Sequence, residues 1–392
     1  MMKSKVFKTM LVLTLSLLLI SMYGFVFAKG SLDNSEYLIN INVNVSKDDG
    51  SAASNAKVIL YSTTEERFVD VKYTDEKGRV TFEYVPKFKS EDLQKDIVGT
   101  NISIMVFTND GEVAFYDFTK NFVIKKEKFT AEKINSIEGE KDKIISIKTK
   151  KIEVTEQQKI EAKNKLKNLL LTKQINDLSV EILNPILLEK RTHYNVPTIV
   201  GEIHTTQGIT SQFSFAVNAG FDIGVGYKYI SGNAEINGHY NVVSGWNVTW
   251  PQLTTSPGGS GYGRKCVSSF NYNEEHWLDP NTGLEWSKVY AVQYNGGAQW
   301  GEMVIGYDDK VPPVGSKGDY PANNPPAIRN NSNGYQYGIA ATIPTFFGSL
   351  DIDLITHYNN YQTSTFWFGS QHSLYHLYDN YTGWQQIYCS YE

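Results

Sequence analysis

Apolar and polar side chains alternate along most of this chain with a period of two residues. That period is the signature of half-buried β-strands, because successive side chains on a strand point to opposite faces. "YLININVNV" sets Ile39, Ile41, Val43 and Val45 against Asn40, Asn42 and Asn44. The longest run covers residues 210–243. There Phe213, Phe215, Val217, Phe221, Ile223, Val225, Tyr227 and Tyr229 share one parity, and Ser214, Asn218, Asp222 and Lys228 the other. Turn signals at Asn218-Ala219-Gly220 and Ser231-Gly232-Asn233 cut the run into three strands of ordinary length. A three-stranded meander with one apolar face is the expectation for a soluble sheet. A membrane-entering hairpin has the same alternation and is the competing reading.

The period changes in two places. Residues 1–28 begin with Lys3, Lys5 and Lys8, continue through an apolar run from Met10 to Met22, and reach Val26 and Ala28 at small-residue cleavage positions. That is the pattern of a secretory signal peptide, so export and an extracellular location are expected. Residues 125–192 form a lysine-rich linker with a predicted helix over 155–173. Thr155 and Gln158 have capping-box spacing, and Ala162, Leu166, Leu169 and Leu170 make one apolar stripe. Glu161 and Lys165 add a favourable pair one turn apart.

Residues 29–124 read as a β-sandwich. "NAKVILY", then "YTDEKGRVTFEYV", then paired strands around Asn109-Asp110-Gly111, follow in an order that resembles the carboxypeptidase-regulatory-like, prealbumin-type sandwich. The resemblance implies a spacer or stabilising module without catalytic residues. The charged "KFKSEDLQKD" departs from that family's shorter connection. Residues 193–392 read as an aromatic-rich, antiparallel all-β domain, a sandwich or a barrel-like fold. Its motifs "GEIHT", "FDIGVGYKY", "YNGGAQWG" and "HSLYHLYDN" resemble those of uncharacterised secreted proteins of Gram-positive bacteria, which implies a shared export-adapted fold and no activity. The fold class expected is therefore mainly β: an Ig/prealbumin-like sandwich, a short helical linker and a second β-domain.

Charge separates the two halves. Residues 201–392 hold 7 basic and 15 acidic side chains, whereas the whole chain holds 37 and 42. All 7 Trp and all 7 His lie after residue 192. The one basic stretch lacks interleaved aromatics, so nucleic acid is not an expected partner. Extracellular glycan, the cell envelope or another surface protein is, with membrane as the runner-up.

Candidate chemistry is sparse. Trp277, Trp286, Tyr358, Tyr361, Trp367, Tyr375 and Trp384 stand among Asn, Ser, Thr and Gln, and are the expected binding residues because such rings offer an apolar face beside polar groups. Cys266 and Cys389 form an even pair, which an exported chain tends to bridge. His372 and His376 have the spacing of two metal ligands, but no Glu follows the first His. Glu274, Glu275, Glu285 and Glu302 raise a polysaccharide hydrolase as a third reading. No cofactor is expected, though calcium would suit Asp351 with Asp353, or Asp308, Asp309 and Asp319. "NEEHWLDPNTGLEW" reads as a hairpin bracketed by Trp277 and Trp286. The combined expectation is a noncatalytic exported binding protein.

Overall fold

The computed structural model describes residues 37–173, 184–205, 210–217, 221–242, 247–254, 262–303, 327–331, 335–356, 360–367, 374–379 and 383–388. It is mainly β, and its sheets do not close into a barrel. The first unit holds β1 (Ile39–Ser46), β2 (Lys57–Ser62), β3 (Arg67–Tyr73), β4 (Arg79–Tyr84), β5 (Ile97–Phe107) and β6 (Glu112–Val123). Then come α1 (Ala131–Glu138), β7 (Asp142–Lys148), β8 (Lys150–Lys151) and α2 (Glu156–Lys173). The second unit holds β9 (Ile186–Thr205), β10 (Thr210–Val217), β11 (Phe221–Tyr229), β12 (Ala234–Val242), β13 (Asn247–Thr249), β14 (Leu253–Thr254), β15 (Tyr262–Leu278) and β16 (Glu285–Met303). It ends with β17 (Ala327–Asn331), β18 (Tyr335–Thr345), β19 (Gly348–Thr356), β20 (Asn360–Trp367), β21 (Leu374–Asp379) and β22 (Gly383–Tyr388).

The first unit is a two-sheet sandwich. A three-stranded sheet, β4-β1-β7, covers the run β6-β5-β2-β3. Ile39, Ile41, Val43 and Val45 on β1 meet Val58 and Leu60 on β2 and Ile102, Ile104 and Val106 on β5. The hairpin at 109–111 forms as its sequence dictates, with Gly111 at φ +83°. One strand falls where the lysine-rich linker is expected. β7 runs parallel to β1, Asn40 opposite Asp142, and buries Ile145 and Ile147 in the sandwich. Only two apolar side chains face the core from a segment rich in lysine, so the strand is weakly marked. The capping box of α2 forms as expected. Gln158 N–H donates to Thr155 Oγ1 at 3.3 Å, and Thr155 N–H to Gln158 Oε1 at 2.8 Å.

The two units share one sheet. Its path runs β22-β21-β9-β15-β16-β11-β12-β6-β5-β2-β3. The joint is a short parallel pairing of β12 with β6, Gly238 opposite Asp117 and His239 opposite Phe118. Gly238 sits at φ +98°, and a Cβ there would lie 1.8 Å from the Asp117 carbonyl oxygen. Only glycine admits that backbone and that approach.

The expected three-stranded meander over 210–243 is not what forms. β11 and β12 do pair, Phe221 opposite Val242. β10 leaves for a separate five-stranded sheet, where it lies between β13 and β20. β11 is covered on both faces. Its apolar parity, Phe221 to Tyr229, is fully buried. β19 pairs antiparallel with the start of β11, Ile223 opposite Leu354, and then passes over its other face, where Gly224 and Gly226 admit it: a Cβ at Gly226 would lie 2.6 Å from Leu350 Cδ2.

Candidate functional site

The hairpin β15–β16 carries Glu274, Glu275, Glu285 and Lys288. Its closing turn is held by Asp279, which accepts from Thr282 Oγ1 at 2.6 Å. Trp277 and Trp286 are cross-strand partners, as the bracketed hairpin predicts. Their environment differs from the expected one. Trp277 is 2% exposed and Trp286 0%. Trp277 packs edge-on to Tyr61 at 5.3 Å, and Trp286 lies 5.0 Å from Phe115. Both are therefore core residues of the contact between the units and present no ring to a ligand. The sandwich supplies the apolar partners that make burial favourable.

Above the tryptophans the same face of β16 presents Lys288, fully buried. Its ammonium donates to Thr63 Oγ1 at 2.9 Å, Ser103 Oγ at 2.5 Å and Tyr240 Oη at 2.8 Å. Asp117 Oδ1 lies 3.2 Å away, also fully buried. Asp117 in turn accepts from Ser103 Oγ at 2.6 Å, Tyr240 Oη at 2.7 Å and, through Oδ2, Tyr227 Oη at 2.6 Å. The rings of Tyr240 and Tyr290 each sit 5.0 Å from the ammonium. Every member is bonded, which is the condition for a buried ion pair to be tolerated. Burial, then the Asp117 charge, holds the phenols of Tyr227 and Tyr240 well above their usual range. Sequence patterning reads Tyr227 and Tyr240 only as apolar-face residues. The missed signal is "EWSKVY": Lys288 shares its parity with Trp286 and Tyr290, so a cation points inward between two aromatics.

Of the four candidate carboxylates, all on this hairpin, Glu274, Glu275 and Glu285 are fully buried and separately engaged, and the Glu302 side chain lies outside the described residues. Glu274 accepts from Arg191 Nε at 2.5 Å, from Ser287 Oγ at 2.6 Å and from the Phe346 amide at 2.8 Å. His193 Nε2 lies 3.0 Å from it. Glu275 accepts from Tyr290 Oη at 2.6 Å and from Trp277 Nε1 at 3.0 Å. Glu285 binds Lys165 of α2 at 2.7 Å, and His276 Nε2 at 2.7 Å. Adjacent residues on a strand face opposite sides. Glu274 and Glu275 therefore cannot flank one bond. A groove of about 370 Å³ opens over this joint, lined by Thr63, Phe88, Asn101, Asn273, Tyr290 and Val292 among others.

The remaining expected residues are dispersed. Tyr361 and Trp367 lie on β20 in the five-stranded sheet, whereas Tyr375, His376 and Trp384 lie on β21 and β22 at the end of the long sheet. Tyr358, His372, Cys389, Asp308, Asp309 and Asp319 lie outside the described residues. Cys266 is buried on β15, opposite Gly201. Asp351 and Asp353 take different partners: Asp351 accepts from Thr342 Oγ1 at 2.7 Å, and Asp353 faces His239 Nε2 at 3.2 Å. Among the described residues no group of three or more His, Cys, Asp or Glu is placed to hold a metal ion. No described helix is long and apolar enough to cross a membrane, which says nothing of strands.

No family model matches the chain, and no curated protein matches it either. The two-sheet architecture of residues 37–148 is of the kind the prealbumin-type resemblance implies, without support from any family model. Among solved structures the chain is similar to BcpA, the major pilin subunit of Bacillus cereus, at 8% identity and a TM-score of 0.18, over 87% of both chains. It is similar to an Asp-to-Ala variant of the same pilin at 8% identity and a TM-score of 0.19, over 90% of this chain and 92% of that one. At these scores nothing is carried over from the pilin to this protein.

Proposed function

We propose that this is an exported, noncatalytic binding protein of the bacterial surface or surroundings, in which two fused β-units form one rigid support. The observation that carries the reading is the state of the carboxylates. Acid–base hydrolysis needs two carboxyl groups facing one substrate across a gap. Glu274, Glu275 and Glu285 each face protein partners instead. The buried network of Lys288 and Asp117 joins the units. The Lys-led apolar leader over residues 1–28 supports export.

The test is retention against turnover. Residues 29–392 are incubated with cell-envelope fractions and with neutral and anionic polysaccharides, and both bound protein and released reducing ends are measured. Retention without release is expected. Release that is lost in Glu275→Gln, with the variant still folded, would replace this reading with the hydrolase. Dye release from anionic or neutral vesicles would replace it with the membrane-active reading.

A further inference from the structure

Asn271 of β15 is flanked by a bulge on either side. On β9 the register steps from His193 opposite Tyr272 to Val196 opposite Phe270, so Tyr194 and Asn195 together answer Asn271. On β16 it steps from Ala291 opposite Tyr272 to Gln293 opposite Asn271, which leaves Val292 as the extra residue. Bulges re-aim side chains and interrupt pairing. Here they leave Tyr194 72% and Val292 40% exposed, two of the few large apolar side chains at the surface among the described residues.

Between these two lies a row of carboxamides. Asn195 N–H donates to Asn271 Oδ1 at 2.9 Å, and Asn271 Nδ2 to Gln293 Oε1 at 3.1 Å. Asn295 Nδ2 donates to Asn195 Oδ1 at 3.0 Å and also to Asn271 Oδ1. The mutual bonds hold the row in one orientation. Asn295 Oδ1 and Gln293 Nε2 make no bond within the described residues, so an acceptor and a donor remain open at its edge. No member of the row is ionisable. At one end Val292 and Asn273 belong to the groove over the joint, and at the other Asn295 borders a second cleft of about 370 Å³ with Val248 and Thr249. Most of the groove's charges are paired, Lys95 with Asp92, Lys190 with Glu66 and Glu65 with Arg67, and Lys87 has no ion pair among the described residues.

We infer that this track, from the joint groove across Asn271 to the second cleft, binds a neutral polysaccharide chain. The inference rests on the reading of the protein as a binding protein and names its site and ligand class. Three features select that ligand. A carboxamide both donates and accepts, as sugar hydroxyls do. An exposed Tyr ring offers a flat apolar face for the C–H side of a sugar, beside a polar tip. An elongated track between two clefts suits a chain better than a single residue. The groove's own charges balance, Lys87, Lys95 and Lys190 against Glu65, Glu66 and Asp92, so nothing along the track favours a polyanion over a neutral chain.

Affinity electrophoresis tests this, in gels containing a soluble β-glucan, galactomannan or hydroxyethylcellulose, with polygalacturonate as the anionic control. Tyr194→Ala and Asn295→Ala are surface changes, and a thermal melt confirms that each is folded. We expect retardation by at least one neutral polymer and none by polygalacturonate. Loss of the stacking ring should weaken that retardation by about tenfold or more, as for an aromatic anchor at an interface. The Asn295→Ala effect should be smaller. Retardation unchanged in both variants would overturn the track while leaving a binding protein. No retardation of the unaltered protein by any neutral polymer would also overturn it. Retention on envelope fractions would then show that the wider reading survives. A dimer seen by light scattering and lost in Tyr194→Ala would assign the face to a second copy and overturn the inference.

Discussion

Lys288 Nζ of β16 lies 3.2 Å from Asp117 Oδ1 of β6, and neither side chain is exposed. One charge comes from each unit, so neither unit alone satisfies its buried ion. Removing one partner from a buried pair costs about 3–5 kcal/mol, whereas replacing both with apolar groups is often neutral. Lys288→Met and Asp117→Asn should each lower the unfolding free energy by about that amount. Lys288→Met with Asp117→Leu should cost less than the sum of the singles. Urea denaturation measures all three. Additive losses would mean that the pair does not act as a unit.

Gly238 is the backbone counterpart of that pair. Gly238→Ala forces a side chain into a left-handed backbone at φ +98° and into the Asp117 carbonyl. The conformation alone costs about 1–3 kcal/mol. The joint is expected to open before the sandwich unfolds, so calorimetry should show two transitions where the unaltered protein shows one. A single transition at an unchanged temperature would show that the β12–β6 pairing contributes nothing.

Acid should loosen the packing of α2. Burial pushes the Glu285 carboxyl up, but the bonds from His276 and Lys165 outweigh it and hold it below 4.5, its ordinary value. Such a group stays ionised in the folded chain while the unfolded chain takes up a proton. Its contribution is present above the unfolded value and is lost as pH falls through it toward the folded value. Denaturation midpoints followed from about pH 6 to about pH 3, across the carboxylate range, should fall more steeply for the native sequence than for Glu285→Gln. Equal slopes would remove Glu285 from the acid response.

Alkali should act through the buried phenols. Tyr227 and Tyr240 are raised well above 10.0 by burial and by Asp117. The unfolded chain ionises these phenols near pH 10 and the folded chain does not, so their contribution is present below that pH and is lost as pH rises above it. Tyrosinate absorbance should grow in two phases, the second coinciding with loss of circular dichroism. Smooth ionisation of all tyrosines with the fold intact would contradict this burial.

Much of the local structure was legible because its causes are local. Thr155 and Gln158 cap a helix wherever it docks, and Asn109-Asp110-Gly111 turns a hairpin whatever lies beneath it. The sequence pattern places Trp277 and Trp286 across one hairpin, whereas their burial comes from the sandwich packed against it. Alternation reports which side chains share a face, and it carries no information about what covers that face. For the same reason Lys288 and Glu275 could not be told from solvated charges.

Pairing between distant strands had no such local mark. β10 and β11 have the same alternation, yet one pairs with β20 and the other with β12 and β16. The choice is made by long-range pairing: β9, β15 and β16 form one antiparallel ladder, which β11 joins through β16 and β10 does not. The composition and period of this chain establish β-structure, a capped helix and two stretches of different charge. Whether those units stay separate was decided only in three dimensions, where a glycine at 238 lets two backbones touch and each unit completes the other's buried charge.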